Sequence, residues 1–127
     1  MKRTINRWSF AVMLAAVSFT VPCARAQDAA AGRAVFQSQC SICHSVQKGR
    51  NMMGPSLFGV VGRKAGTEPG FYYSAGNRNP AIVWDAATLD RYLANPHSVV
   101  ADTTMSYPGL RDAQKRANLI AYLGTLH

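Results

Sequence analysis

The sequence predicts an all-α domain in which three main helices and long loops wrap around one large apolar group. Three observations carry this prediction. Apolar residues recur at helical spacing in three separate segments, and no period-two alternation persists anywhere. The segments between the helices are long and rich in Gly, Asn and Pro. With 127 residues, 48% hydrophobic and 16% charged, the chain has globular composition and length for one domain.

Residues 1–26 read as a cleaved leader rather than as part of the fold. Lys2, Arg3 and Arg7 form a positive start, a predominantly apolar stretch of 12 residues runs from Phe10 to Val21, and Ala24-Arg25-Ala26 supplies a cleavage site. A membrane span needs about 20 apolar residues, so this run is too short for an anchor. Cys23 lies in the leader and lacks the small-residue context that lipid attachment requires. The expectation is export to the periplasm, with 27–127 as the functional domain. The formal charge of +8 then shrinks, because ten basic and six acidic residues remain, a balance of +4. No basic cluster is interleaved with aromatics, which argues against a nucleic-acid partner.

Within 27–127, Asp28 is placed to cap a first helix from Ala29 to about Gln39, with Val35 and Phe36 on its apolar side. Asp85 is placed to cap a second helix over 86–95, burying Leu89, Tyr92 and Leu93, with Pro96 as its stop. Asp112 is placed to cap a third from Ala113 to about Leu126, burying Leu119, Tyr122 and Leu123. Irregular stretches cover 45–84 and 97–110. Loops this long need something to order them, and three short helices enclose only a thin core. A large apolar cofactor at the centre answers both needs.

The chemistry resides in Cys40-Ser41-Ile42-Cys43-His44, the C-x-x-C-H pattern of covalent haem attachment. On helical backbone, positions i, i+3 and i+4 share one face. Two thiols can therefore bond the two vinyl groups of one porphyrin while the imidazole reaches its iron. A thioredoxin-like dithiol would need the same cysteines after a strand in a βαβ setting, and a helix precedes them here. A zinc site would need two more ligands, with only His97 and His127 to supply them.

With this motif the chain resembles the class I cytochromes c, in particular the mitochondrial and soluble bacterial members. The resemblance extends through Gly32 and Phe36, Gly54-Pro55-Ser56-Leu57, Gly62-Arg63-Lys64 and Phe71-Tyr72-Tyr73-Ser74. Beyond these it includes Trp84, Tyr92-Leu93-Ala94-Asn95-Pro96, the run from Thr103 to Gly109, and Leu119-Ile120-Ala121-Tyr122-Leu123. It implies the class I cytochrome c fold around one covalently bound haem c held by Cys40 and Cys43. His44 and Met105 would be the axial iron ligands, with the Pro55 carbonyl orienting His44. Met105 follows His44 by 61 residues, enough chain to reach the opposite haem face, whereas Met52 and Met53 follow by 8 and 9. The resemblance places Arg63, Tyr73 and Trp84 around the haem propionates, with Asn77 and Thr103 in the adjoining polar network. It places Tyr92 near the Met105 sulfur, and Gly32 where the first and last helices approach.

The resulting expectation is a periplasmic carrier, monomeric and not an enzyme, that shuttles single electrons between redox protein partners. The donor would be a dehydrogenase or cytochrome complex, and the acceptor an oxidase, reductase or reaction centre. Alternatives are a dedicated haem subunit of one dehydrogenase or oxidase, a haem peroxidase or gas-binding protein, and a dithiol oxidoreductase. Only Lys48, Lys64 and Lys115 remain in 27–127, whereas relatives that serve mitochondrial-type oxidases carry many lysines around the haem edge. That scarcity implies a partner with a less acidic surface.

Overall fold

The computed structural model describes residues 26–127. The leader assigned to 1–26 lies outside the described residues apart from Ala26. Four α-helices are present: α1 (Ala29–Gln39), α2 (Ala86–Ala94), α3 (Pro96–Val99) and α4 (Ala113–Gly124), with a single 3-10 turn at Gly76–Arg78. Among the described residues no strand forms. One isolated antiparallel bridge joins Lys64 to Val83.

All three aspartate caps form as expected. The Asp28 carboxylate accepts from the backbone N–H groups of Ala30 and Ala31, Asp85 from Thr88, and Asp112 from Lys115. These contacts satisfy amides that have no partner inside the first turn of a helix. Hydrogen bonding to their charged forms holds the Asp85 and Asp112 carboxyls below the usual carboxylate range.

The helix ends required correction. Residue 95, expected at the end of α2, is already extended, with φ −156° and ψ 98°. Steric conflict with the Pro96 ring excludes helical backbone at that position. Pro96 does not only end α2; it opens the short α3 inside a stretch expected to be irregular. The last helix stops at Gly124 rather than Leu126, and Thr125 N–H closes onto the carbonyls of Tyr122 and Leu123.

Helix packing places α1 across α4. Gly32 is buried at the crossing, where a Cβ would collide with the carbonyl of Asn118 and lie 2.9 Å from Tyr122 Cβ. Around this contact the Phe36 and Tyr122 rings pack 5.8 Å apart, and Asn118 Oδ1 accepts from the backbone of Asp28 at 3.0 Å. The buried face of α4 is Asn118, Leu119, Ile120 and Leu123, with Tyr122 half-buried instead of central. On α2, Leu89 and Tyr92 are buried and Leu93 is half-buried.

The long stretch 45–84 is ordered largely by polar contacts. Ser56 is fully buried, and its hydroxyl donates to the Gln47 carbonyl at 2.7 Å while accepting from Phe58 N–H. Asn51 accepts from Ser56 N–H and donates to the Pro69 carbonyl, joining three loop segments. Backbone bonds between Ala65 and Ile82, and between Trp84 and Arg63, both 2.9 Å, close the far end of the loop. Each meets the requirement that a buried backbone polar group find a partner.

Gly32→Val is expected to overpack the α1–α4 crossing, costing about 3 kcal/mol and lowering the Tm by roughly 10–20 °C in a thermal melt. Gly124→Ala is its control, since nothing lies within 4 Å of a Cβ there. The control should be neutral or stabilising by up to about 1 kcal/mol.

Candidate functional site

The C-x-x-C-H segment follows α1 directly. Cys40 is the C-terminal cap of α1, and residues 40–43 form turns instead of continuing the helix. His44 N–H still donates to the Cys40 carbonyl at 2.9 Å, and Cys43 N–H to the same carbonyl at 3.1 Å. This single turn brings both thiols and the imidazole to one cavity, as the helical expectation required, by a different backbone route.

That cavity has a volume of about 370 Å³, within the range of small-molecule and cofactor sites. Cys40, Cys43, His44 and Met105 all line it. So do Pro55, Arg63, Tyr73, Asn77, Trp84, Tyr92 and Thr103. Every site residue proposed from the sequence therefore faces one space. Its remaining lining is mainly apolar, from Leu57, Val60, Leu89, Leu119 and Leu123 among others.

His44 is held in a defined state. Its Nδ1–H donates to the Pro55 carbonyl at 2.8 Å, because a carbonyl can only accept. Burial pushes the imidazole below its usual range, opposed by that same hydrogen bond. The ring is thus neutral, with the Nε2 lone pair available as a metal ligand. Gly54 backs the ring: a Cβ there would stand 2.6 Å from Nδ1 and 2.7 Å from Nε2. Its N–H is fixed by the Cys43 carbonyl at 2.9 Å.

Met105 enters from residues 103–110. Thr103 is buried, and its Oγ1 accepts from Met105 N–H at 3.3 Å and meets the Tyr92 hydroxyl at 3.0 Å. The Tyr92 ring packs on Trp84 with centroids 4.7 Å apart. Tyr107 donates from its hydroxyl to Gln39 Oε1 at 2.6 Å, tying this segment to the end of α1. Leu110 N–H bonds the Leu93 carbonyl at 2.7 Å, and Gly109 beside it adopts φ +101°. A side chain at Gly109 would strike the Ala94 carbonyl. Met53 also lines the cavity, but it is 74% exposed and adjoins Gly54 behind His44; Met52 is exposed and outside the lining.

Arg63 and Tyr73 form a polar corner. The Arg63 guanidinium donates to Glu68 at 2.5 Å, to the Phe58 carbonyl at 3.1 Å and to the Ser56 carbonyl at 2.9 Å. Tyr73 accepts from Glu68 N–H at 3.2 Å, and burial pushes its phenol above the usual range. Asn77 accepts from the Ser74 hydroxyl at 3.0 Å.

Three contributors went unassigned in the sequence reading. Gly54 and Ser56 belong to the Gly54-Pro55-Ser56-Leu57 block that carries the resemblance, but nothing in the sequence gives either a role. Glu68 was detectable in principle, as one of only six carboxylates in 27–127 and five residues beyond Arg63.

The residues present fit a haem: two thiols, a neutral imidazole with a free nitrogen, and a thioether around an apolar space. They do not fit the competing readings. Burial, followed by the charge of Cys43, pushes the Cys40 thiol up to about 11, whereas a dithiol oxidoreductase depends on a lowered value. Among the described residues no three His, Cys, Asp or Glu side chains gather as a metal site, and His97 and His127 bond backbone carbonyls at exposed positions.

The family model described as cytochrome c matches residues 29–127. The chain belongs to the cytochrome c family. Among its relatives, cytochrome c2 of Rhodopila globiformis is 50% identical over 99 residues, covering 78% of this chain and 93% of the relative. Cytochrome c of Euglena viridis is 46% identical over 99 residues, covering 78% of this chain and 97% of the relative. Among solved structures, cytochrome cH from Methylobacterium extorquens superposes with a TM-score of 0.72 at 42% identity. That match covers 77% of this chain and 98% of the other. The class I fold is thereby established, and with it one covalently bound haem c.

In a cytochrome c, the place of Gly54 makes it a sensitive position. Gly54→Ala is expected to push the imidazole off the Pro55 carbonyl and lower the yield of haem-loaded protein at least about tenfold, as is typical when a ligand's supporting contact is lost. The check is the ratio of haem absorbance to polypeptide after expression with the attachment machinery, with Gly124→Ala as the unaffected control.

Proposed function

We propose that this cytochrome is an exported, periplasmic single-electron carrier, released from residues 1–26, with His44 and Met105 as the two axial ligands of its haem iron. The observation that carries the reading is the convergence of Cys40, Cys43, His44 and Met105 on one cavity, with His44 already tied through Nδ1 to Pro55.

The bound haem supplies a one-electron ferrous/ferric couple. This chain's residues hold and tune it. Cys40 and Cys43 contribute the two thioether links, and His44 contributes Nε2. The Pro55 carbonyl fixes the ring orientation and raises its basicity as a ligand. Thr103 and the Tyr107–Gln39 bond hold the Met105 segment across the cavity. With His44 and Met105 both bound, the iron would have a raised potential and no open site for a substrate or gas. That distinguishes a carrier from the peroxidase or gas-binding alternative.

The proposed partners are redox proteins on either side of the chain in an electron-transfer sequence. Gln39, Ile42 and Met53 at the cavity carry no charge, and Ile42 is 77% exposed. Rates of small redox encounters depend on charge steering, and uncharged residues contribute none of it, which fits a partner with a less acidic surface. No helix among the described residues is long and apolar enough to cross a membrane.

Protein isolated from the periplasmic fraction should give a pyridine haemochrome spectrum with haem resistant to acidic acetone. A Cys40→Ala/Cys43→Ala variant should release its haem and lose cooperative unfolding, since the cofactor fills the core. A colourless native protein, or a variant that folds cooperatively without haem, overturns the reading.

Met105→Ala tests the sixth ligand separately. It should abolish the sulfur-to-iron charge-transfer band, lower the potential and admit carbon monoxide to the ferrous protein at neutral pH. Survival of the band would transfer the assignment to Met53 or Met52.

A further inference from the structure

Among the described residues, Arg63 is the only Arg, Lys, Asp or Glu that lines the cavity. Any anionic group on a cofactor held there meets this one cation. Its charge is already engaged, however. Three of the five guanidinium N–H groups are committed, two to the Phe58 and Ser56 carbonyls and one to Glu68. Glu68 stands outside the lining, one layer behind the wall, and is only 8% exposed. It also reaches the second polar group of that wall, because its backbone N–H donates to the Tyr73 hydroxyl oxygen. That bond leaves the Tyr73 proton free to donate elsewhere.

A buried charge pair of this kind is costly to form, and replacing such a pair by apolar residues of similar volume is often neutral or stabilising, so cohesion alone is weak ground for it. It does have an electrostatic consequence. Oxidation adds one positive charge at the haem iron, and a buried fixed charge acts on that change at low effective dielectric. Arg63 alone would favour the ferrous state. A carboxylate bonded to it cancels much of that effect and favours the ferric state.

We infer that Glu68 is a positioning residue that sets the reduction potential: it holds Arg63 and neutralises its charge at the cavity wall, so that the haem is easier to oxidise than Arg63 alone would make it. The inference rests on the haem reading above and extends it to a residue outside the ligand set.

The test is a redox titration of the haem-loaded protein and its variants. Glu68→Gln keeps an oxygen acceptor for Arg63 but removes the negative charge. It should shift the redox equilibrium toward the ferrous state by about tenfold, or 59 mV for a one-electron couple. By the thermodynamic cycle, unfolding titrations of the two oxidation states should diverge by that same factor, the ferric form losing more stability. Glu68→Asp retains the charge and should stay within about twofold of the native protein. Should an unpaired Arg63 prevent folding of the Gln variant, the same charge is removed in an Arg63→Gln background. The double variant must then favour the ferrous state relative to Arg63→Gln alone. An unchanged potential in Glu68→Gln with an intact haem spectrum, or no difference between the double and single variants, overturns the inference. A native protein without a haem spectrum would overturn the functional reading on which it rests, and is separately recognisable.

Discussion

The contact between the backbones of α1 and α4 at Gly32 governs the geometry of everything downstream. Because no side chain separates Gly32 from the Asn118 carbonyl, the two helices lie close enough for Phe36 and Tyr122 to pack. The end of α1 is then fixed relative to the body of the protein, and Cys40 stands at that end. The turn through Cys43 and His44 inherits its position from the crossing. Leu119 and Leu123 of α4 supply part of the apolar wall that faces the same turn. Residues near both ends of the domain thus locate the attachment site, although the site itself is coded by five consecutive residues.

Much of this organisation is legible in the sequence, because its causes are local. A cap depends on one aspartate and the next three amides, so all three helix starts could be placed. The C-x-x-C-H pattern is five consecutive residues, and the helix predicted just before it already separates haem attachment from a dithiol. The helix ends were less legible. Pro96 was read as a stop, yet its fixed φ also suits the first position of a new helix, and local sequence does not separate the two outcomes.

The interior of the long loop was illegible for a different physical reason. Ser56 and Asn51 act through partners elsewhere along the loop: Ser56 binds the Gln47 carbonyl and Asn51 the Pro69 carbonyl. Each is an ordinary polar residue until the chain folds back on itself. For Arg63 the resemblance indicates the site but not the partners that hold the side chain. In the structure it is largely buried and bonded to two carbonyls and a carboxylate.

The two segments that bring His44 and Met105 to the cavity are held by separate sets of contacts. Behind His44, the segment from Ser45 to Leu57 is cross-linked through a fully buried hydroxyl and through Asn51. Around Met105, order rests on Thr103, the Tyr107–Gln39 contact and the bond from Leu110 N–H to the Leu93 carbonyl. Opening free energies vary across a protein with the density of such protected contacts. Among the described residues no hydrogen bond joins the two segments, so the contacts that hold one do not depend directly on those that hold the other.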